Sequence, residues 1–258
     1  MKIEVNGVHL AYETWGHTER PIVLMHGFGL DRSIWRDLVT KYLADQQVIL
    51  PDLRGHGESD APVMPYHMSL LAEDLVYLMD ALDVERAVVC GHSMGGYVAL
   101  AFAAQFPERL LGLGLITTNA SSDSEEKRAG RYALIEAVRN RGSIVVAENL
   151  APRLSRSQAV IDASFTLINQ TEPLGLIGAM EGMAERPERT GLLSQINVPA
   201  LVVAGEDDRI TDFKTAKAMA DALMKGEFLG IPDVGHMPMW EAPDILGRGL
   251  KSLVARVR

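Results

Sequence analysis

A single cysteine, Cys90, stands in a chain of 258 residues, so no disulfide can form within it. That fits a reducing compartment. No uncharged apolar run approaches the ~20 residues that a membrane-spanning helix needs. The amino terminus begins at once on an alternating pattern, Met1-Lys2-Ile3-Glu4-Val5, with no basic region leading into an apolar stretch. A cytoplasmic protein without membrane association is the expectation. Basic residues are in the minority, with 25 Lys and Arg against 34 Asp and Glu, a formal charge of −9. With no basic cluster to offset that balance, a nucleic-acid partner is disfavoured. No His, Cys, Asp or Glu cluster has metal-ligand spacing, and no G-x-G-x-x-G follows a strand. What is present is ordinary globular composition, 47% hydrophobic and 23% charged, suited to one large domain or to one domain with a sizeable insertion.

The order of elements narrows the fold. Ile3–Val5 and Val8–Glu13 flank Asn6-Gly7, the strongest short hairpin signal. Strand patterns follow at Pro21–Met25, Gln47–Asp52, Arg86–Cys90, Leu110–Thr117, Val198–Gly205 and Glu227–Ile231. Helices are expected between them: one capped by Asp31 and running to about Leu43, and one capped by Ser69 with Leu71, Leu75, Leu78 and Leu82 on one face. Others span Gly96–Phe106, where Pro107 helps to end the helix, then about Asp212–Leu223 and the chain from about Pro243. Strands alternating with helices predict an α/β fold, a mostly parallel sheet covered on both faces and led by an antiparallel hairpin. Residues 119–189 break the alternation with helical spacing alone. They are expected to lie as a cap over the ligand-binding edge of the sheet, leaving 1–118 and 190–258 as the core.

Gly91-His92-Ser93-Met94-Gly95-Gly96 lies between a buried strand and a small-residue helix. A serine on such a turn is held in a strained backbone that lifts its hydroxyl out of the sheet, and glycines two residues either side leave room for the neighbouring turn. Serine needs a base at neutral pH, and histidine, oriented by a carboxylate, supplies it. His236, in Val234-Gly235-His236-Met237-Pro238, is the one histidine after the last strand. The acid should leave the strand ending at Gly205. Asp208 is the choice there, Asp207 the runner-up and Asp123 a distant third.

The oxyanion of a tetrahedral intermediate needs fixed donors, for which the backbone N–H groups of Met94 and Phe28 are placed at a helix start and in the glycine-flanked loop His26-Gly27-Phe28-Gly29. His26 and His92 are expected to hold their loops by hydrogen bonds. Asp52, Arg54 and His56 are expected to buttress a turn through a charge-assisted pair. Trp35, Met237, Trp240, Met180 and Met183 are candidates for a substrate pocket, each with core packing as the competing role. Cys90 is expected to be a buried structural thiol.

These segments, together with Asp52-Leu53-Arg54-Gly55-His56-Gly57-Glu58-Ser59 and Gly205-Glu206-Asp207-Asp208-Arg209-Ile210, resemble the α/β-hydrolase superfamily over nearly the whole chain. The resemblance implies a core of about eight strands, a helical cap and no cofactor, with Ser93 as nucleophile, His236 as base and Asp208 as acid. His92 before the serine looks more like esterases, enol-lactonases and cofactor-free perhydrolase relatives than like carbon–carbon bond hydrolases, which often carry Asn there. The cap opening is similar to small carboxylesterases and 3-oxoadipate enol-lactonases. A serine hydrolase of small or medium esters or lactones is the expectation. Carbon–carbon cleavage or perhydrolysis on the same triad, and a triad-bearing signalling protein that binds its ligand, are the rivals.

Overall fold

Asn6 and Gly7 both take positive φ, 48° and 75°, the geometry of the two-residue turn that suits the twist of a hairpin. They join β1 (Lys2–Val5) to β2 (Val8–Trp15), with Val5 opposite Val8. In this computed structural model, which describes residues 1–257, the hairpin forms the edge of an eight-stranded sheet. The other strands are β3 (Ile22–Met25), β4 (Val48–Pro51), β5 (Ala87–His92), β6 (Leu110–Ile116), β7 (Ala200–Gly205) and β8 (Gly226–Ile231), in the spatial order β1-β2-β4-β3-β5-β6-β7-β8. Pairings of β2 are antiparallel and the remainder are parallel. Every residue of β3, β4, β5 and β7 is buried, as continuous apolar strands must be when both faces are covered. The covering helices include α1 (Arg36–Tyr42), α2 (Met68–Ala81) and α3 (Met94–Gln105), with α1 packed on the C-terminal helix and α2 on α3.

This strand order places the site. The chain leaves β3 for β4 on one side, while β5 lies on the other, so the C-terminal ends of β3 and β5 are neighbours and Met25 pairs with Gly91. Such a reversal opens a crevice in a parallel sheet. Between β6 and β7 the chain inserts four helices, α4 (Glu125–Arg141), α5 (Ile144–Leu154), α6 (Gln158–Gln170) and α7 (Pro173–Ala184). Ser124 caps α4 by accepting from Lys127 N–H at 3.2 Å. The chain returns through α8 (Phe213–Ala222), a short helix α9 (Pro238–Glu241) and α10 (Pro243–Ala255). Among the described residues no helix is long and apolar enough to cross a membrane.

Local expectations differ from the structure at several helix starts. The segment after Asp31 is a 3₁₀ turn, Arg32–Trp35, followed by α1, and Asp31 caps the turn through Ser33 N–H at 2.8 Å. Ser69 is not a cap. The amide of Leu71 already donates to the carbonyl of His67 at 3.1 Å, so helical bonding begins one residue before Met68 and Ser69 lies within the first turn. α3 begins at Met94 rather than Gly96, with Ser93 itself at the cap position.

The loop after β4 is held by pairs that leave the loop. Asp52 is fully buried against Arg32, which also donates to Glu13 and Glu58 at 2.9 Å each. Arg54 turns instead to Asp74 of α2, with Nε–Oδ2 at 2.8 Å and Nη2–Oδ1 at 2.6 Å, and Asn6 donates to the same carboxylate at 2.7 Å. A bidentate pair this deep leaves a buried guanidinium uncompensated when its partner is removed. Asp74→Ala is therefore expected to cost about 3–5 kcal/mol in urea denaturation. Asp80→Ala, which breaks the more exposed pair with Arg109 at 2.6 Å, should cost less than about 1 kcal/mol.

Candidate active site

At the end of β5, Ser93 adopts φ 51° and ψ −113°, a conformation that L residues enter only under constraint. Its surroundings impose it. A Cβ on Gly91 would overlap the Gly95 carbonyl, and one on Gly95 would lie 2.7 Å from the carbonyl oxygen of His26. Ser93 N–H donates to Ile116 O at 2.9 Å, and the Thr118 hydroxyl donates to Ser93 O at 2.7 Å. The loop after β3 lies against the serine, since a Cβ on Gly27 would sit 3.2 Å from Ser93 Cβ. Gly27, next to Phe28, is thus in contact with the elbow, and Met94 is the first residue of α3, where helix amides have no internal partner. His26 fixes its own loop, accepting from Leu53 N–H through Nε2 at 2.9 Å while Nδ1–H donates to Gly27 O at 2.8 Å.

Three carboxylates were candidates for the acid, and the structure separates them. Asp208 Oδ2 accepts from His236 Nδ1–H at 2.8 Å, with both side chains almost fully buried. The same carboxylate accepts from the amides of Ile210 and Thr211 at 2.8 and 3.1 Å and from the Thr211 hydroxyl. Burial opposes its ionisation, but His236, the Thr211 hydroxyl and the Ile210 amide outweigh that and hold the carboxyl below its usual range. Asp207 pairs with Arg156 at 2.7 Å, and Asp123 with Arg186 at 2.8 Å. Neither meets His236. The hydrogen bond that would join Ser93 Oγ to His236 Nε2 is not made in this structure; nucleophile–base contacts are commonly loose before substrate binds.

The His236 loop is anchored from three sides. His92 Nε2–H donates to the His236 carbonyl at 2.9 Å and the Thr117 hydroxyl donates to it at 3.2 Å. On the cap side, His236 N–H donates to the Leu154 carbonyl at the end of α5 at 2.8 Å. The cap reaches the other loop as well, through the Thr171 hydroxyl on Gly29 O at 3.0 Å. Thr117, Thr171 and Thr211 were not singled out in the sequence. Of the three, only Thr211 carries a readable signal, three residues beyond an aspartate at a turn.

Against this edge lies a cavity of about 550 Å³, walled by Phe28, Tyr97, Met180, Ile210 and residues of α4 and α5. Ser93 and His236 are not among its walls; it meets the site through Phe28 and through Ile210, whose amide binds Asp208. Three of the pocket candidates lie elsewhere. Trp35 is fully buried with its ring edge-on to His92 at 6.5 Å, Met237 is fully buried beside the His236 backbone, and Trp240 is half-buried in α9. Met183 is core, whereas Met180 does line the cavity. Cys90 is buried and its thiol is pushed well up by burial. No group of His, Cys, Asp or Glu that could hold a metal ion occurs among the described residues.

Residues 20–243 match the profile of the alpha/beta hydrolase fold. The chain belongs to that family. It is similar in sequence to a 3-oxoadipate enol-lactonase 2 from Acinetobacter baylyi, 28% identical with 96% of this chain and 94% of that protein covered. Among solved structures it is similar to a thermophilic esterase from Thermogutta terrifontis, with TM-score 0.95, 35% identity and 99% and 98% of the two chains covered. It is also similar to an enol-lactonase from Burkholderia xenovorans LB400, with TM-score 0.91, 27% identity and 99% and 100% coverage.

Burial keeps three histidines of this edge neutral. It lowers His26, and it lowers His56 and His92 each to about 3, helped by a neighbouring imidazole. The unfolded chain takes up these protons below the ordinary value of 6.5 while the folded protein does not, so stability falls as pH drops from there toward 3. His56 and His92 each add roughly 1.4 kcal/mol per pH unit to the slope inside that window, and His26 acts in the same direction. Unfolding free energies measured from pH 7 to pH 5 should decline accordingly, and His56→Asn should flatten the slope by about one proton.

Proposed function

We propose that the protein is a serine hydrolase of small or medium carboxylic esters or lactones that works through an acyl-enzyme. The observation that carries this reading is Ser93 at a strained elbow on the same sheet edge as the buried His236–Asp208 pair, whose loop is held by the adjoining His92. Similarity to an esterase and to enol-lactonases over nearly the full chain supports it.

Ser93 Oγ attacks the carbonyl carbon as His236 Nε2 takes its proton. Asp208 keeps Nδ1–H as a donor and stabilises the imidazolium that forms. The Phe28 and Met94 amides hold the oxyanion. Collapse of the intermediate breaks the bond to the leaving oxygen, which takes the proton from His236. Water then gives a proton to His236 and attacks the acyl carbon, and the second collapse returns the proton to Ser93 Oγ and frees the acid. Residues 119–189 act as the cap that shapes the acyl or alcohol site.

Ser93→Ala should abolish turnover of a short-chain p-nitrophenyl ester in a protein that still folds, as checked by circular dichroism. Retained activity would sink the assignment. Asp208→Asn should lower kcat by at least about 10³-fold, by analogy with other triads, while Asp207→Asn should change it little. A panel of esters, lactones and vinylogous diketones, assayed with and without peroxide, separates this reading from carbon–carbon cleavage and perhydrolysis.

A further inference from the structure

The cavity under the cap is charged in a way the rest of the chain is not. Lys127, Arg131, Arg153 and Arg186 line it against a single carboxylate, Asp123, in a protein whose formal charge is −9. Asp123 is already answered twice, by Arg186 Nη1 at 2.8 Å and Arg131 Nε at 2.5 Å. Arg186 is itself fixed, buried with its guanidinium 4.1 Å over the Tyr97 ring and donating to Ser121 O and Met183 O at 3.1 and 2.9 Å. Lys127 and Arg153 have no ion-pair partner among the described residues, so both are free to meet a ligand.

The helix that carries Lys127 adds a second observation. α4 turns Lys127, Gly130 with Arg131, Leu134 and Ala137 toward the cavity, one helical turn apart. A glycine inside a helix is destabilising, and a Cβ at Gly130 would meet nothing within 4 Å. Packing therefore does not demand the glycine, whereas it leaves the wall open beside the cations. Leu134, Ala137, Val146, Leu150 and Met180 give the same cavity an apolar stretch.

We propose that this cavity selects an ester or lactone bearing a second, free carboxylate, with Lys127 and Arg153 as the residues that recognise it. The proposal rests on the serine-hydrolase reading of Ser93. The apolar stretch takes the carbon chain, and the two cations take the charged end. At physiological salt, screening over about 8 Å isolates these cations from most of the chain's acidic surface.

The test compares mono-p-nitrophenyl glutarate with p-nitrophenyl pentanoate, which differ by a terminal carboxylate against a methyl. The wild-type protein should favour the glutarate ester in kcat/KM by about tenfold, on the scale of a charge-assisted hydrogen bond, and the preference should shrink as sodium chloride is raised. In the Lys127→Gln/Arg153→Gln protein the ratio of the two esters should collapse toward one through a higher KM for the glutarate ester. Gly130→Ala should raise the thermal midpoint while lowering kcat/KM for that ester. A wild-type preference for the neutral ester, or a ratio unmoved by the double substitution, overturns the proposal. Calorimetry with free glutarate on the Ser93→Ala protein separates the two readings. Binding that the double substitution removes supports the cationic site even if no ester is turned over, whereas turnover of both esters without preference or glutarate binding refutes the cationic site and leaves the hydrolase intact.

Discussion

A serine at φ 51° between a strand and a helix persists only where its surroundings over-determine it. A conformation of this kind costs on the order of 1–3 kcal/mol, which is spread here over contacts from β5 itself and the two strands beside it. β6 supplies Ile116 O and, just past its end, the Thr118 hydroxyl; β3 supplies the His26 carbonyl; β5 supplies the space at Gly91. The central sheet and its parallel register are thus conditions for the elbow as much as scaffolding around it. Because successive strand residues face opposite ways, the same turn that lifts Ser93 sends His92 back to bind the carbonyl of His236.

The site keeps two kinds of polarity apart. Around the elbow the side chains that hold the loops are neutral: His26, His56 and His92 are buried with ring contacts of 5.1 Å between the first two and 5.0 Å between His92 and His236. A charged neighbour there would compete with Asp208 for the imidazole of His236. Apart from Asp208, the full charges sit in the Arg32–Asp52 and Arg54–Asp74 pairs below the loop and in the cap around Asp123. A low-dielectric centre with charge at its periphery suits a reaction that develops an oxyanion at fixed amides.

Much of this was legible in the sequence because it depends on local pattern. The Asn6-Gly7 hairpin, the apolar strands and the glycines around Ser93 each follow from a short-range rule, and the mostly parallel character of the sheet follows from the alternation of strands with helices, whereas the strand order does not. Partners distant in sequence were not legible. Arg54 and Asp74 are 20 residues apart, and nothing local says that Arg54 turns to α2 while Asp52 takes Arg32. Trp35 and Met237 looked like pocket residues because aromatic and thioether side chains suit both a core and an acyl site. Burial decided the matter, and burial is a property of the assembled layers. The cavity's cations lie on α4, on α5 and in the chain after α7, so no single stretch announces them.

The bond from His236 N–H to the Leu154 carbonyl and the one from the Thr171 hydroxyl to Gly29 O tie the cap to both loops that flank Ser93. In mechanical terms α5 and α6 belong to the frame of the site, since lifting either would unhook the loop of His236 or the loop of Gly27–Gly29. α4 carries no such tether among these bonds. The cap is therefore an arch fastened to the sheet edge through α5 and α6, with α4 fastened only to the arch itself, by Arg128 on the Ala184 carbonyl and Arg131 on Asp123.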